Sequence, residues 1–293
     1  MMHDSPLLLG CDFSSSPSRQ KTIVIALGYC TDGVVQLTEL RHYRNLTAWQ
    51  ADLAAWPAWV GGFDLPFGLP RALVQVWGWP ADWQQVIRHF SAQTRPELRV
   101  KLQAFCDARP PGHKFAHRAT DGPAGSSPSM KWVNPPVAWM LHAGMPLLLD
   151  LNAHFPAHQA AVLTTPDIQN ASCQRVALEA YPSLLARTLL GLPPQSRSLG
   201  YKQDDPKRQT PAQRDTRQRL LHTLLTGAYP WGLRLSATPA QQALCCDDGK
   251  GDVLDAVLCL MQAAWSWQQH HQGHPRWGLP LDIDPLEGWI VGA

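Results

Sequence analysis

The chain has 293 residues, of which 45% are hydrophobic and only 16% charged, and its net charge is +2. That balance supplies a sizeable core and excludes an intrinsically disordered chain, which shows the reverse proportions. A net charge so close to zero does not announce a polyanionic partner, so any such role must come from local clustering of basic residues.

The opening "MMHDSPLLLGCD" lacks the basic start and longer apolar region of a secretory leader. No stretch approaches the ~20 apolar residues of a membrane span. Seven cysteines are present, with Cys11, Cys30, Cys173 and Cys259 inside apolar stretches and no C-x-x-C pair. They read as buried thiols in a reducing compartment rather than as a zinc site. The expectation is a soluble, cytoplasmic protein with no membrane partner; its oligomeric state is not legible.

"LLLGCDFS" is a short apolar run ending in a turn, and "SSSPSRQ" is turn chemistry. "KTIVIALGYC", then "TDG", then "VVQLTELRHY" complete three strands of an antiparallel meander. In "NLTAWQADLAAW", Leu46, Trp49, Leu53 and Trp56 recur at helical spacing. "WVGGFDLP" is a fourth strand, stopped by a proline and expected to run parallel to the first.

From residue 68 to 170 the pattern loosens, and this section reads as an insertion between core strands. "RALVQVWGWPADWQQVIRHF" predicts one or two helices broken near Pro80, and "RPELRVKLQAFCDA" another. "RPPGHKFAHRATDGPAGSSPSMKWVNPP" predicts a long irregular loop, a kind that is usually functional or mobile. "VAWMLHAGMPLLLDL" is helical at its start. Regular order returns with the strand "CQRVALEAYP" and the helix "SLLARTLLGL", for which Ser183 is the expected cap. "QTPAQRDTRQRLLHTLL" is a basic helix, and "GDVLDAVLCLMQAAWSWQQHH" begins a final long one.

In a chain this poor in charge, the acids stand out by position. Asp12 ends the first strand, Asp64 the fourth, Glu179 lies late in the fifth, and Asp252 and Asp255 open the last helix. Phosphodiester cleavage with two Mg²⁺ or Mn²⁺ ions needs carboxylates converging from several elements. Each acid also has a purely structural reading. Asp252 and Asp255 would form an imperfect capping box, Asp12 and Asp64 would make Asx turns, and Glu179 would pair with an arginine.

The motifs "GCDFS", "GFDLPFGLPR", "EAYPSLL", "GYK", "DVLDAVLCLMQAAW" and, around Glu287, "EGWIVG" occur in this order. Together they resemble the ribonuclease H-like fold, and within it the family called domain of unknown function 429, described as predicted nucleases. The resemblance implies an α/β protein, a ribonuclease H-like mixed sheet with a β-β-β-α-β-α-β-α core, forming a single domain over residues 1–293 with a large helical and loop insertion at 68–170. It also implies a divalent-metal-dependent nuclease with Mg²⁺ or Mn²⁺ as cofactor. Asp12, Asp64 and Asp255 match acidic ligands, with Asp252 as an extra, and Glu179 joins Asp12, Asp64 and Asp255 as a catalytic acid. The D-x-x-D-A helix start is similar to that of Holliday-junction resolvases. One departure is that no R-x-C-D run follows "GLP".

Basic residues cluster at 187–219 and in the loop after 108. Lys202, Arg208, Arg214, Arg118 and Lys131 are the candidates for substrate phosphates, with nucleic acid as partner; the alternative is a solvated helix face. Two rival functions remain. One is a non-catalytic nucleic-acid- or protein-binding domain on the same fold. The other is a phosphotransferase of the actin and sugar-kinase type, which would want glycine-rich phosphate loops that this chain barely offers.

Overall fold

The computed structural model describes residues 5–159, 174–196 and 200–293; Cys173 lies outside them. The six described cysteines are buried. No helix among the described residues is long and apolar enough to cross a membrane.

β1 (Leu8–Asp12), β2 (Ile23–Thr31) and β3 (Val34–Tyr43) form the expected antiparallel meander. α1 (Leu46–Ala55) follows, capped by the Asn45 side chain, which accepts from the Ala48 amide. β4 (Trp59–Asp64) returns parallel to β1, and β5 (Arg175–Glu179) runs parallel to β4. β6 (Arg234–Ser236), a three-residue strand that sequence reading passed over, adds to β3 in parallel. The sheet order is β5-β4-β1-β2-β3-β6. This is an α/β fold of ribonuclease H-like topology with a helical insertion.

The insertion carries α2 (Arg71–Val76), α3 (Trp83–Ala92), α4 (Arg95–Asp107), the single turn α5 (Asp121–Ala124) and α6 (Val137–Leu149). Thr94 and Glu97 close a capping box at the start of α4. After β5 come α7 (Pro182–Leu189), α8 (Pro211–Thr226), α9 (Pro239–Asp247) and α10 (Asp252–His271). α9 was also missed in the sequence. The expected cap on α7 needs correction. The helix starts at Pro182, so Ser183 is already inside it, and the N-cap is Tyr181, without a side-chain bond.

Strand alternation sorts the core into two layers. Leu9, Cys11, Ile23, Ile25 and Phe63 face α1 and the insertion. Leu8, Val24, Ala26 and Val60 face α10 and its neighbours. α10 lies flush on the sheet because two strand residues beneath it are glycines. A Cβ on Gly10 would stand 2.0 Å from the Leu260 amide nitrogen, and one on Gly62 would stand 2.5 Å from the Cys259 carbonyl oxygen.

The start of α10 also differs from the capping-box reading. Gly251 (φ 80°) is the N-cap and makes no side-chain bond. Asp248 supplies that function instead, its Oδ2 accepting from the Val253 amide at 2.9 Å. Asp252 is the first helical residue, and its side chain is released from capping.

Candidate metal centre and its cleft

Gly10-Cys11-Asp12 and Gly62-Phe63-Asp64 are the same G-x-D written at the ends of two adjacent strands. The strands pair in register, Gly10 with Gly62 and Asp12 with Asp64. Side chains two apart share a face. The glycines seat α10, and both aspartates therefore point to the same side, one pleat beyond the helix contact. Asp255 lies one helical turn before Cys259 and enters the same space from α10. Carboxylate oxygens of Asp12, Asp64 and Asp255 all lie within 4.8 Å of one another.

Three acids at this separation repel, and burial strengthens the effect. Burial first, then Asp255, Asp252 and Asp64, hold the Asp12 carboxyl well above the usual carboxylate range. Burial and the neighbouring acids Asp255 and Glu179 push Asp64 up to about 7, with Lys202 opposing. Asp252 is raised to about 6, chiefly by burial. No described residue donates a hydrogen bond to the carboxylate of Asp12 or Asp64. Asp255 differs, since Tyr201 donates its hydroxyl to Oδ1 at 2.6 Å and Lys202 donates Nζ to Oδ2. Burial is the largest single influence and works against the Lys202 charge, but Asp255, Tyr201 and Asp64 together outweigh it and the ammonium is held more firmly than in water.

The donor set is oxygen only, and two of its carboxylates, buried Asp12 and half-buried Asp64, accept from no described residue. That chemistry suits a hard divalent cation. The residues fit such an ion, and its charge would relieve the repulsion that raises Asp12 and Asp64.

Glu179 does not join the cluster, for a reason of register. It pairs with Phe63, not with Asp64, and one residue of offset turns a side chain to the opposite face of a sheet. There it meets the insertion. Arg118 grips it with two bonds, Nη1 to Oε2 at 2.7 Å and Nη2 to Oε1 at 2.6 Å. The Phe67 amide donates to Oε2 at 3.0 Å. Arg118 is 3% exposed and also bonds Asp121 and the Glu287 carbonyl. The Glu287 carboxylate in turn accepts from the Arg71 amide at 2.8 Å and the Ala119 amide at 2.7 Å. The expected arginine pair of Glu179 is therefore present, and it locks the "GLPR" segment, the long loop and the "EGWIVG" segment together.

The three acids and Asp252 lie in a cleft of about 850 Å³. Among the described residues its lining cations are Lys21, Lys202 and Lys250. Of the basic candidates, only Lys202 is there. Arg118 is buried behind the cleft. Arg214 pairs with Asp247, its Nη2 at 2.6 Å. Arg208 is exposed on a 3₁₀ turn (Pro206–Arg208). Lys131 lies over Phe115 at 5.9 Å, against which Trp132 also packs. Lys21 and Lys250 were missed because neither lies in the basic clusters at 187–219 and after 108. They meet through the β1–β2 loop, where Lys250 Nζ donates to the Gln20 carbonyl.

Comparison of the chain with protein-family models, curated proteins and solved structures finds no match. The sheet order and the acid cluster carry the reading by themselves.

Proposed function

We propose that this protein is a divalent-metal-dependent nuclease. The observation that carries the reading is the trio Asp12, Asp64 and Asp255, delivered by β1, β4 and α10 within 4.8 Å, with two members that accept from no described residue. Asp12, Asp64 and Asp255 would hold Mg²⁺ or Mn²⁺, and of the other two cleft carboxylates Asp204 pairs with Lys21 at 3.7 Å, which leaves Asp252 on offer to a second ion. Such an ion would supply Lewis-acid chemistry for phosphodiester hydrolysis there. Tyr201 and Lys202 orient Asp255, and Lys202 doubles as a phosphate contact at the rim. Lys21 and Lys250 neutralise flanking phosphates. Glu179 acts as a positioning residue, through Arg118 and the Phe67 amide. The resemblance of the motifs to the predicted nucleases of domain of unknown function 429, and a cytoplasmic site of action, belong to the same reading.

A non-catalytic binding domain would leave its acids spread apart or matched to arginines, which describes Glu179 but not the trio. A phosphotransferase would want glycine-rich phosphate loops, whereas Gly10 and Gly62 lie beneath α10. The test is cleavage of labelled DNA and RNA by the purified protein in Mg²⁺ and Mn²⁺. Asp12→Asn is expected to abolish metal-dependent cleavage. Cleavage retained by that variant rejects the assignment.

A further inference from the structure

The cleft has a side chamber of about 80 Å³, reached beside Asp64. Asp64, Pro135, Val137, Met140 and Tyr181 line both spaces. The lysines lie only on the cleft side, away from the chamber. The metal site therefore has a basic flank and an apolar flank, with the acids between them.

We propose that the chamber takes a nucleobase stacked on Tyr181, and hence that the substrate reaches the acidic site as an unpaired strand. This rests on the nuclease reading for its orientation, because a phosphate placed on the acids puts its own or the adjacent base within one sugar of Asp64.

Four observations support it. The first is size. At ~10–15 Å³ per accommodated water, 80 Å³ corresponds to about five to eight waters, roughly the bulk of one base without its sugar. The second is chemistry. Leu65, Pro66, Val137, Met140 and Ile290 make the lining largely apolar, with the Ser127 hydroxyl for a base edge and Ser126, which donates to Asp121 Oδ1 at 3.1 Å, able to accept. Glu179 and Asp64 at the wall repel an anion, and Arg118 is already committed, so a phosphate is the wrong occupant.

The third is the platform. One face of the Tyr181 ring is backed by the Arg187 guanidinium at 5.5 Å, and Arg187 is itself held by the Ala124 carbonyl at 2.8 Å. The fourth is anchorage. The Tyr181 amide donates to Gln262 Oε1 at 3.1 Å. Gln262 belongs to α10, so the platform and Asp255 are fixed to one helix. A base inside a duplex keeps its partner and its stack and cannot enter a chamber of this size. An unpaired base can, and aromatic stacking accepts any base face.

The test is fluorescence anisotropy of labelled oligothymidylate, alone and annealed to oligoadenylate, in Ca²⁺ so that the strand is not consumed. Mn²⁺ uptake is measured in parallel by electron paramagnetic resonance. The wild type is expected to prefer the single strand by about tenfold or more, Tyr181→Ala to weaken it about 5- to 150-fold, and Tyr181→Phe to retain it. Equal affinity for the duplex, unchanged binding by Tyr181→Ala, or no binding of either nucleic acid overturns the inference. Single-strand preference without Mn²⁺ uptake supports it while refuting the metal reading, so the two failures are told apart.

Discussion

Replacing Asp64 by Asn should stabilise the metal-free protein while removing its response to metal. A carboxyl moved from 3.8 to about 7 opposes folding, once ionised, by about 1.4 kcal/mol per unit, or roughly 4 kcal/mol. Asp64 is still partly open to the cleft, and solvent screening reduces this to about 2 kcal/mol. The sign follows from linkage. The folded state holds the Asp64 proton more tightly than the unfolded chain does. The penalty is therefore absent below about pH 4, grows as pH rises, and is complete above about 7. In a calorimetric scan at pH 8 in EDTA, Asp64→Asn should melt about 3 °C above the wild type. Mn²⁺ at about a hundred times its dissociation constant should stabilise the wild type by about 2.7 kcal/mol and leave the variant nearly unmoved. A variant that melts lower in EDTA at pH 8, or that gains as much from Mn²⁺, would refute the picture of an electrostatically strained cation cage.

Arg118→Ala should destabilise by about 3–5 kcal/mol, because Glu179 and Asp121 lose their buried countercharge; chemical denaturation measures this, and a loss under about 1 kcal/mol contradicts it. Gly10→Ala places a methyl against the backbone of α10 and should cost about 3 kcal/mol or more, with Mn²⁺ affinity falling alongside as α10 shifts; a variant matching the wild type in both melting and Mn²⁺ titration speaks against the seat. His158 is pushed down to about 3 by burial, with Nδ1 donating to the Pro285 carbonyl at 2.7 Å. The unfolded chain takes up that proton near pH 6.5 and the folded one does not, so His158 contributes a loss of about 1.4 kcal/mol per unit as pH falls below 6.5. Subtracting the pH profile of His158→Gln should expose that slope, and a flat difference contradicts it.

The meander, the parallel fourth strand and α10 were legible because each rests on a local pattern of β-branched runs, turn residues and acids at element ends. The acid trio was legible for the same reason, since Asp12, Asp64 and Asp255 each close or open an element. β6 and α9 were not, because a three-residue strand leaves no periodicity and α9 reads as polar and mixed. The cap of α10 was misplaced because Asp248 and Asp252 are both acids before the same apolar run, and only the backbone at Gly251 distinguishes them. Register hid the position of Glu179. Nothing within "VALEAY" tells that it pairs with Phe63 rather than Asp64, although that single step decides which face it serves. The long loop carried its key residue openly as Arg118, yet a cation among several in a Gly/Pro-rich stretch gives no sign that it is buried.

The two glycines under α10 mean that the gap between the aspartates is gauged by main chain resting on main chain. Most of that helix is buried, so a change of side-chain bulk along it that lifts the main chain off either glycine widens the gap. For a cation held by the trio, discrimination by ionic radius would then rest on the peptide scaffold and be adjustable at positions 10 and 62.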